Sequence, residues 1–393
     1  MTSLLSANPD PVSSGEIQQL DPERGRVVEA RHRQLAAILC ERDLDGLLLT
    51  DPASVAWATC GSRLQLNGFD QPGGAVFLTP QARVVVCLSS ESGQFFDREV
   101  AALGFQLKER PWTQPRERLL ADLCHGRRVG CDELRTDCVD LSEQVREIRR
   151  PSTVVEEAAM RRLCRELTHA VEATCRTCTQ GQSEAEVAGQ VAHRLCRHGV
   201  RPAVVQVLAD AQGHRYRHWN HGPDAIQRYV TIRVTAEQAG LFAGVARTVS
   251  FGPPPRAVAK AHQVASLVQA TGLFFTQAGW TATDVWSRLV RMYEKLGAAD
   301  EWRQAEQAEV VGYSPTEAIF TPESDFSLPP GTLVHWHPSV RSAMTSDTML
   351  VRDEGFELLT LGDRWPQLNV VVKGHAVERP AILVRDESDN WAV

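Results

Sequence analysis

The chain has 393 residues, 43% hydrophobic and 23% charged, which is the composition of an ordinary globular protein large enough for two cores. Its net charge of -7 and pI near 6.0 argue against nucleic acid or a membrane surface as a partner. There is no run of about 18 apolar residues. The polar, Pro/Ser-rich residues 1–25 predict a flexible tail rather than a secretion signal, so a cytoplasmic location is expected.

Residues 26–145 alternate between predicted helices and strands. Residues 27–43 have helical periodicity, and "LDGLLLTD" predicts a buried strand that ends at the turn signal Asp51-Pro52. Further strands are predicted at "VAWATC", "GGAVFLTP", "ARVVVCLSS" and "RRVGCDEL", and helical or turn segments such as "SGQFFDREVAALG" separate them. This alternation predicts an α/β N-terminal domain with a mixed sheet.

The order of predicted elements changes after residue 151. Two long amphipathic helices flank a turn at Gly181, and Ser183 and Glu186 have the spacing of a capping box. Strands are predicted at "AVVQVLA", "YVTIRVT" and "LFAGVARTVSFG", helices at 257–277 and 282–296, and more strands from about residue 309. This pattern predicts an α+β C-terminal domain over 151–393, joined to the first by residues 140–151.

The chain has ten cysteines, and none lies beyond residue 196. Cys175 and Cys178 have CxxC spacing, but no second CxxC pair or strand-turn-helix context accompanies them. We interpret the cysteines as reduced structural thiols.

Several phrases, in this order, resemble the creatinase/Xaa-Pro peptidase family. They are "RHRQLAAILCERDLDGLLLTDPASVAWATCGS", "EEAAMRRLCRELTHAVEATCRTCTQGQSEAEVAGQVAHRLCRHGV", "GLFAGVARTVSFG" and "PPGTLVHWHPSV…TSDTMLV". The resemblance covers nearly the whole chain from residue 26. It implies a creatinase-type N-terminal domain, a C-terminal domain with the pita-bread fold, and a homodimer.

Metallopeptidases of this family bind two metal ions through two Asp, one His and two Glu, because hard dications prefer oxygen ligands and paired ions activate a bridging water. The resemblance places Arg233 and Gly244 at the two Asp positions, Glu309 at the His position, and His337 and Ser346 at the two Glu positions. All five positions are substituted, and the permanent charge of Arg233 would repel a dication. The sequence therefore predicts no dinuclear metal site and no cofactor.

Creatinase itself lacks the metals and uses a loop histidine as proton carrier, about seventeen residues before the first metal position. Counting back from Arg233 reaches Tyr216, and His214, His218 and His221 lie around it. His218 and His221 are both candidates, since a neutral imidazole near pH 7 serves as a general acid or base. A polar surface loop is the alternative interpretation.

Three further positions are candidates for substrate contacts. Glu317 corresponds to a pocket glutamate of the family and would hold a cationic group; a solvated glutamate is the alternative. Tyr313, in the same phrase, is a second candidate. Arg233 itself would bind a carboxylate or phosphate bidentately, or else pair internally with Asp347.

The alternation of His335 and His337 puts both side chains on one side of a strand, and the resemblance implies that this side faces the pocket. With Glu309 they have the donor types of a single zinc or iron site, which Arg233 argues against; a hydrogen-bonded histidine pair is the alternative. Arg247, in the Arg-Thr pair that closes the hairpin, is interpreted first as an ordering residue bound to carboxylates and second as a substrate contact.

Two hypotheses of different classes follow. The first is a metal-independent hydrolase or lyase that acts on a C–N bond of a small amide, imidodipeptide or guanidino compound. In it His218 or His221 moves the proton, Glu317 holds a cationic group and Arg233 an anionic one. The second is a non-catalytic pita-bread module that binds a peptide, partner or small ligand. A metal-dependent Xaa-Pro peptidase follows only if the hairpin alignment is wrong.

Overall fold

The computed structural model describes residues 21–65, 73–210, 217–362 and 364–386. The chain divides between Arg149 and Arg150 into two units, and each has its own sheets and buried core. Within these residues no helix combines the length and the apolar character needed to cross a membrane.

The helices described in the N-terminal unit are α1 (Pro22–Glu41), α2 (Pro52–Ala58), α3 (Ser92–Gln94), α4 (Arg116–Cys124) and α5 (Ser142–Arg149), with a π-helical turn, Phe95–Glu99, after α3. The strands are β1 (Gly46–Leu49), β2 (Ala75–Leu78), β3 (Arg83–Leu88), β4 (Gln106–Arg110), β5 (Val129–Cys131) and β6 (Val139–Asp140). They form one mixed sheet in the order β4-β3-β2-β1-β5-β6. The predicted α/β architecture of this unit is confirmed.

Two local predictions in the N-terminal unit are wrong for the same physical reason. Residues 22–25 of the predicted tail are helical, because Asp21 caps α1 by accepting hydrogen bonds from the backbone N–H groups of Glu23 and Arg24 at 3.1 and 3.0 Å; the rest of the predicted tail lies outside the described residues. "VAWATC" is not a strand: Asp51 caps α2 in the same way, and Pro52 occupies its first turn. An Asp-Pro pair is as typical of a helix start as of a turn.

The C-terminal unit contains helices α6 (Val154–Thr177), α7 (Glu184–Cys196), α8 (Arg256–Phe275) and α9 (Ala282–Lys295), and a 3₁₀ turn, Glu301–Arg303. Its strands are β7 (Arg201–Ala209), β8 (Tyr229–Gln238), β9 (Leu241–Phe251), β10 (Ala308–Val311), β11 (Ala318–Ile319), β12 (Leu333–Trp336), β13 (Ser339–Val340), β14 (Ala343–Met344), β15 (Asp347–Val351), β16 (Phe356–Leu358), β17 (Gln367–Val372), β18 (His375–Pro380) and β19 (Leu383–Arg385).

Two sheets of the C-terminal unit carry the candidate site. One has the order β19-β9-β8-β7 and the other β11-β10-β12-β15-β16. A bridge between Ala246 and Ser346 joins the β8–β9 hairpin to the start of β15. Aliphatic and aromatic side chains of α8, α9, β10 and β12 form the main core of this unit. The predicted α+β character is therefore confirmed.

Candidate functional site

The β8–β9 hairpin forms one side of the site. Its register pairs Arg233 with Ala246 and Thr235 with Gly244. The adjoining sheet forms the other side, where β10 and β12 pair Glu309 directly with His335. Because the bridge to Ser346 fixes one sheet against the other, four of the substituted metal positions and His335 are held together by backbone pairing.

The missing side chain of Gly244 makes room for the ring of His335. A methyl group on Gly244 would lie 2.2 Å from Nε2 and 2.3 Å from Cε1 of this histidine. His335 has no exposed surface. An imidazole therefore occupies the space beside Gly244, the position that the resemblance assigns to the second Asp.

Glu309 is the centre of a buried hydrogen-bond cluster. Its Oε1 lies 3.0 Å from Nδ1 of His335 and its Oε2 lies 3.1 Å from Nε2 of His337. The other ring nitrogen of His335, Nε2, lies 2.6 Å from Oγ of Ser346. The predicted hydrogen-bonded pair of strand histidines is thus present, and Glu309 bridges it.

The protonation states follow from the charges and burial of these groups. Burial alone would raise the pKa of Glu309, but the facing imidazoles of His337 and His335 outweigh it and hold this pKa far below its usual range. Burial lowers the pKa of His337 to about 4, with Arg233 adding to the effect and Glu309 opposing it. Near pH 7 Glu309 is therefore an anion that accepts hydrogen bonds from both imidazole rings, and Nε2 of His335 shares a hydrogen bond with the Ser346 hydroxyl.

Ser346, His335 and Glu309 are connected in the order of a catalytic triad, in which a histidine activates a serine nucleophile. Ser346, however, has no exposed surface. In this conformation a substrate cannot reach its Oγ. The hydroxyl instead holds the ring of His335 in one orientation.

The residues present do not fit a two-metal centre at the positions that the family resemblance assigns to the ligands. None of these five positions carries the expected ligand type, and Arg233 and the ring of His335 lie where the resemblance would place two carboxylates. One smaller donor set remains: ligand atoms of Glu309, His335 and His337 all lie within 4.8 Å of one another. Two imidazoles and a carboxylate suit zinc or iron, although the same atoms are already satisfied by hydrogen bonds to one another.

Arg233 is the unsatisfied member of the site. Only 6% of the residue is exposed, and its Nε has no hydrogen-bond partner in the described part of the chain. Burial lowers the pKa of its guanidinium, opposed by the nearby carboxylates of Glu309 and Glu306. An arginine nonetheless stays protonated in a protein, so this is a buried cation with unused donor capacity.

Arg247 orders the hairpin, as predicted, through two carboxylates. Its guanidinium lies 3.1 Å from Glu172 of α6 and 3.0 Å from Asp347 of β15, and only 3% of the residue is exposed. The suggested pairing of Asp347 with Arg233 is wrong, because the second oxygen of Asp347 accepts from Arg379 at 2.8 Å. With both oxygens engaged, Asp347 belongs to a structural network around Arg247.

The two loop histidines have different surroundings, while Tyr216 and His214 lie outside the described residues. Nε2 of His218 is 2.9 Å from Oε2 of Glu306, and 57% of the histidine side chain is exposed. His221 is exposed too, but its Nδ1 faces the carbonyl oxygen of Val205 at 3.3 Å. Since Glu306 also interacts with His337 and Arg233, His218 is the loop histidine next to the buried cluster.

Glu317 and Tyr313 are both buried, at 5% and 4% exposure. The alternative interpretation of Glu317 as a solvated glutamate is therefore wrong. Its Oε1 accepts a hydrogen bond from the backbone N–H of Ser314 at 3.0 Å, a contact that stabilises the loop after β10.

Sequence reasoning missed Glu306, Glu172 and Arg379. Glu306 lies in "RQAEQAE", which has no motif to distinguish it from a solvated helix end or loop. Glu172 is four residues before Arg176 in α6, a spacing that is usual for surface pairs. These residues became visible only when the fold placed them beside charged partners.

The architecture is that of a pita-bread protein with an α/β N-terminal domain. The chain belongs to the creatinase/Xaa-Pro peptidase family: the model of metallopeptidase family M24 matches residues 158–353. A comparison with curated protein sequences finds no significant match.

Solved structures of the same fold cover most of the chain. The Xaa-Pro dipeptidase from Bacillus anthracis is 16% identical, with a TM-score of 0.72 over 91% of this chain and 100% of that one. Dipeptidase PepE from Mycobacterium ulcerans is also 16% identical, with a TM-score of 0.73 over 92% and 99%. The N-terminal domain of the FACT complex subunit SPT16 from Cicer arietinum is 12% identical, with a TM-score of 0.66 over 86% and 96%. These likenesses concern the fold.

Proposed function

We propose that this chain is a metal-independent hydrolase of a C–N bond in a small substrate that carries a carboxylate, such as an imidodipeptide or an N-acyl amino acid. The observation that carries the proposal is the buried guanidinium of Arg233 beside the Glu309 cluster, because its Nε has no hydrogen-bond partner among the described residues. A buried cation with unused donors is costly unless an anion meets it, and a carboxylate suits the guanidinium fork.

In the proposed reaction, Arg233 holds the substrate carboxylate and His218 moves the proton. His218, oriented by Glu306, takes a proton from water as the water oxygen bonds to the carbonyl carbon. It returns this proton to the nitrogen when the C–N bond breaks, so that water and amide give a carboxylic acid and an amine. His221 takes no part in this reaction, and Glu317, Tyr313 and His337 stay candidates for other substrate contacts.

The test is a turnover screen of matched substrates in the presence of a metal chelator. Xaa-Pro dipeptides, N-acyl amino acids and guanidino acids are each compared with their carboxamide forms by mass spectrometry. We expect turnover of a carboxylate substrate only. His218→Ala should lower kcat about 100-fold, Arg233→Met should mainly raise KM, and the matched loop variant His221→Ala should retain activity. Turnover that disappears with chelator and returns with one metal equivalent would instead favour a single-metal peptidase at Glu309, His335 and His337.

A second candidate function, a non-catalytic ligand-binding module, is favoured by the enclosure of the cluster. His335 and Ser346 have no exposed surface, and the imidazole fills the space beside Gly244. The module predicts that carboxylate compounds bind, that Arg233→Met removes the binding, and that no substrate in the screen is turned over.

A further inference from the structure

A basic groove lies between α6, α7 and the segment around residue 362, in the C-terminal unit. It consists of two adjoining cavities of about 670 and 590 Å³. Both cavities are lined by Glu166, His169, Arg176, Arg197, His198 and Arg364. These volumes fall within the range of about 300–1,000 Å³ that is usual for small-molecule sites.

The described lining of the two cavities contains five arginines and two glutamates. Glu172 is paired with Arg176 and with Arg247, both at 3.1 Å, and Glu166 lies 3.7 Å from the ring of His198. Asp363, next to Arg364 in the sequence, lies outside the described residues. Among the described lining residues the remaining charge is therefore positive.

Three arginines of the groove supply this uncompensated charge. Arg165, Arg197 and Arg364 are exposed, and none has an ion pair among the described residues. They come from three separate segments of the chain. The protein has a net charge of -7, so a concave surface with these three guanidinium groups has a positive local potential on an otherwise negative molecule.

Thr168 adds an independent sign of a ligand. Only 2% of the residue is exposed, it lines the larger cavity, and its Oγ1 has no hydrogen-bond partner among the described residues. Two other threonines of α6 behave differently: Thr174 and Thr177 donate to the carbonyl oxygens four residues earlier at 2.7 and 2.9 Å. A buried hydroxyl without a partner is costly, and a polar ligand in the cavity would relieve that cost.

We propose that this groove binds a small phosphate-bearing molecule. The guanidinium groups of Arg165, Arg197 and Arg364 would form paired hydrogen bonds to phosphate oxygens, a geometry that suits arginine better than lysine. The hydroxyl of Thr168 would donate to one further oxygen. The site is separate from the Glu309 cluster and does not depend on the function proposed for it. Arg176 contributes charge, but its pairing with Glu172 gives it a structural role as well.

The experiment is calorimetric titration of the full chain with pyrophosphate at a constant ionic strength of about 0.15 M, where long-range attraction is screened. We expect saturable binding with one site. The double variant Arg197→Gln/Arg364→Gln should weaken it at least about tenfold, and Thr168→Val about threefold or more, since a lost charge-assisted bond outweighs a lost neutral one. Arg33→Gln/Arg42→Gln is the charge-matched control, because both residues are exposed in the N-terminal unit; it should leave the affinity unchanged.

Three results would overturn the proposal. The first is the absence of saturable binding, or equal weakening by the groove and control variants. The second is equal affinity for a dicarboxylate of the same length, which would assign the groove to carboxylates. The third is tighter binding of a single-stranded oligonucleotide with the same dependence on Arg197 and Arg364. Circular dichroism and urea unfolding check that each variant is folded, and Thr168→Val keeps the charge and shape of the groove.

Discussion

Gly244 has no side chain, and the space beside it admits the ring of His335. The ring then bridges Ser346 and Glu309. At the scale of single residues, the residues at 244, 309 and 346 therefore fit one another. Glu309, His335 and Ser346 form a buried hydrogen-bond cluster, and Gly244 leaves room for it.

Gly244→Ala should destabilise the protein by about 2 kcal/mol, because the new methyl group would meet a fully buried imidazole at 2.2 Å. In the background of His335→Ala the same change should cost about 1 kcal/mol less. Urea unfolding of the two single variants and the double variant measures both values. Gly189→Ala, at an exposed position of α7, is the control. Nothing lies within 4 Å of a methyl group there, and the higher helix propensity of alanine should slightly raise the free energy of unfolding. Equal costs in the two backgrounds would contradict the fit between Gly244 and His335.

At the scale of elements, Arg247 connects three of them. From β9 it contacts Glu172 of α6 and Asp347 of β15, and it donates to the carbonyl oxygen of Thr360 at 2.8 Å. Arg379 of β18 completes the network by binding the other oxygen of Asp347. The hairpin is thus fixed by paired charges with almost no exposure to water.

Arg247→Gln should lower the free energy of unfolding by about 3–5 kcal/mol, since it leaves two buried carboxylates with one fewer cation. The urea midpoint should fall without a change in the denaturant slope. Arg291→Gln, at an exposed position of α9, is the matched control and should have no measurable effect. A loss below about 1 kcal/mol for Arg247→Gln would mean that Arg379 and Arg176 suffice for the two carboxylates.

The sequence was informative for elements whose pattern is local. The periodicity of residues 257–277 and 282–296 predicts α8 and α9 to within a residue or two, and the box at Ser183 and Glu186 is formed. The sequence did not predict α2, because its apolar residues form a short continuous run and such a run has the same hydrophobic pattern in a buried helix as in a buried strand. The sequence also did not predict the ion pair between Asp347 and Arg379. The two residues are 32 positions apart, and only the fold determines which buried charged side chains contact each other.

At the scale of the whole molecule, the two units bury titratable groups of opposite kind. In the C-terminal unit, burial and the charge of Arg247 lower the pKa of His262 to about 4, and His337 shifts in the same direction. In the N-terminal unit, burial and the charges of Asp51 and Glu133 raise the pKa of Asp132 to about 7. Both kinds of group prefer the neutral form in the folded state.

The stability of the two units should therefore change in opposite directions between pH 7 and pH 5. His262 has a folded pKa below its unfolded value of 6.5, so the unfolded state binds more protons and this histidine alone lowers the free energy of unfolding of the C-terminal unit by about 2 kcal/mol as pH falls. Asp132 has a folded pKa above its unfolded value of 3.8, so the folded state binds more protons and the N-terminal unit gains about 2 kcal/mol.

Buried cysteines allow this prediction to be measured unit by unit. Cys87 and Cys131 report on the N-terminal unit and Cys164 and Cys175 on the C-terminal unit, since all four are free and inaccessible in the folded protein. Urea titration with a methanethiosulfonate pulse, followed by mass spectrometry, gives a midpoint for each pair at both pH values. His262→Gln should reduce the loss in the C-terminal unit, and Asp132→Asn should reduce the gain in the N-terminal unit. Midpoints that move together, or that ignore these two variants, would show that other groups control the pH dependence.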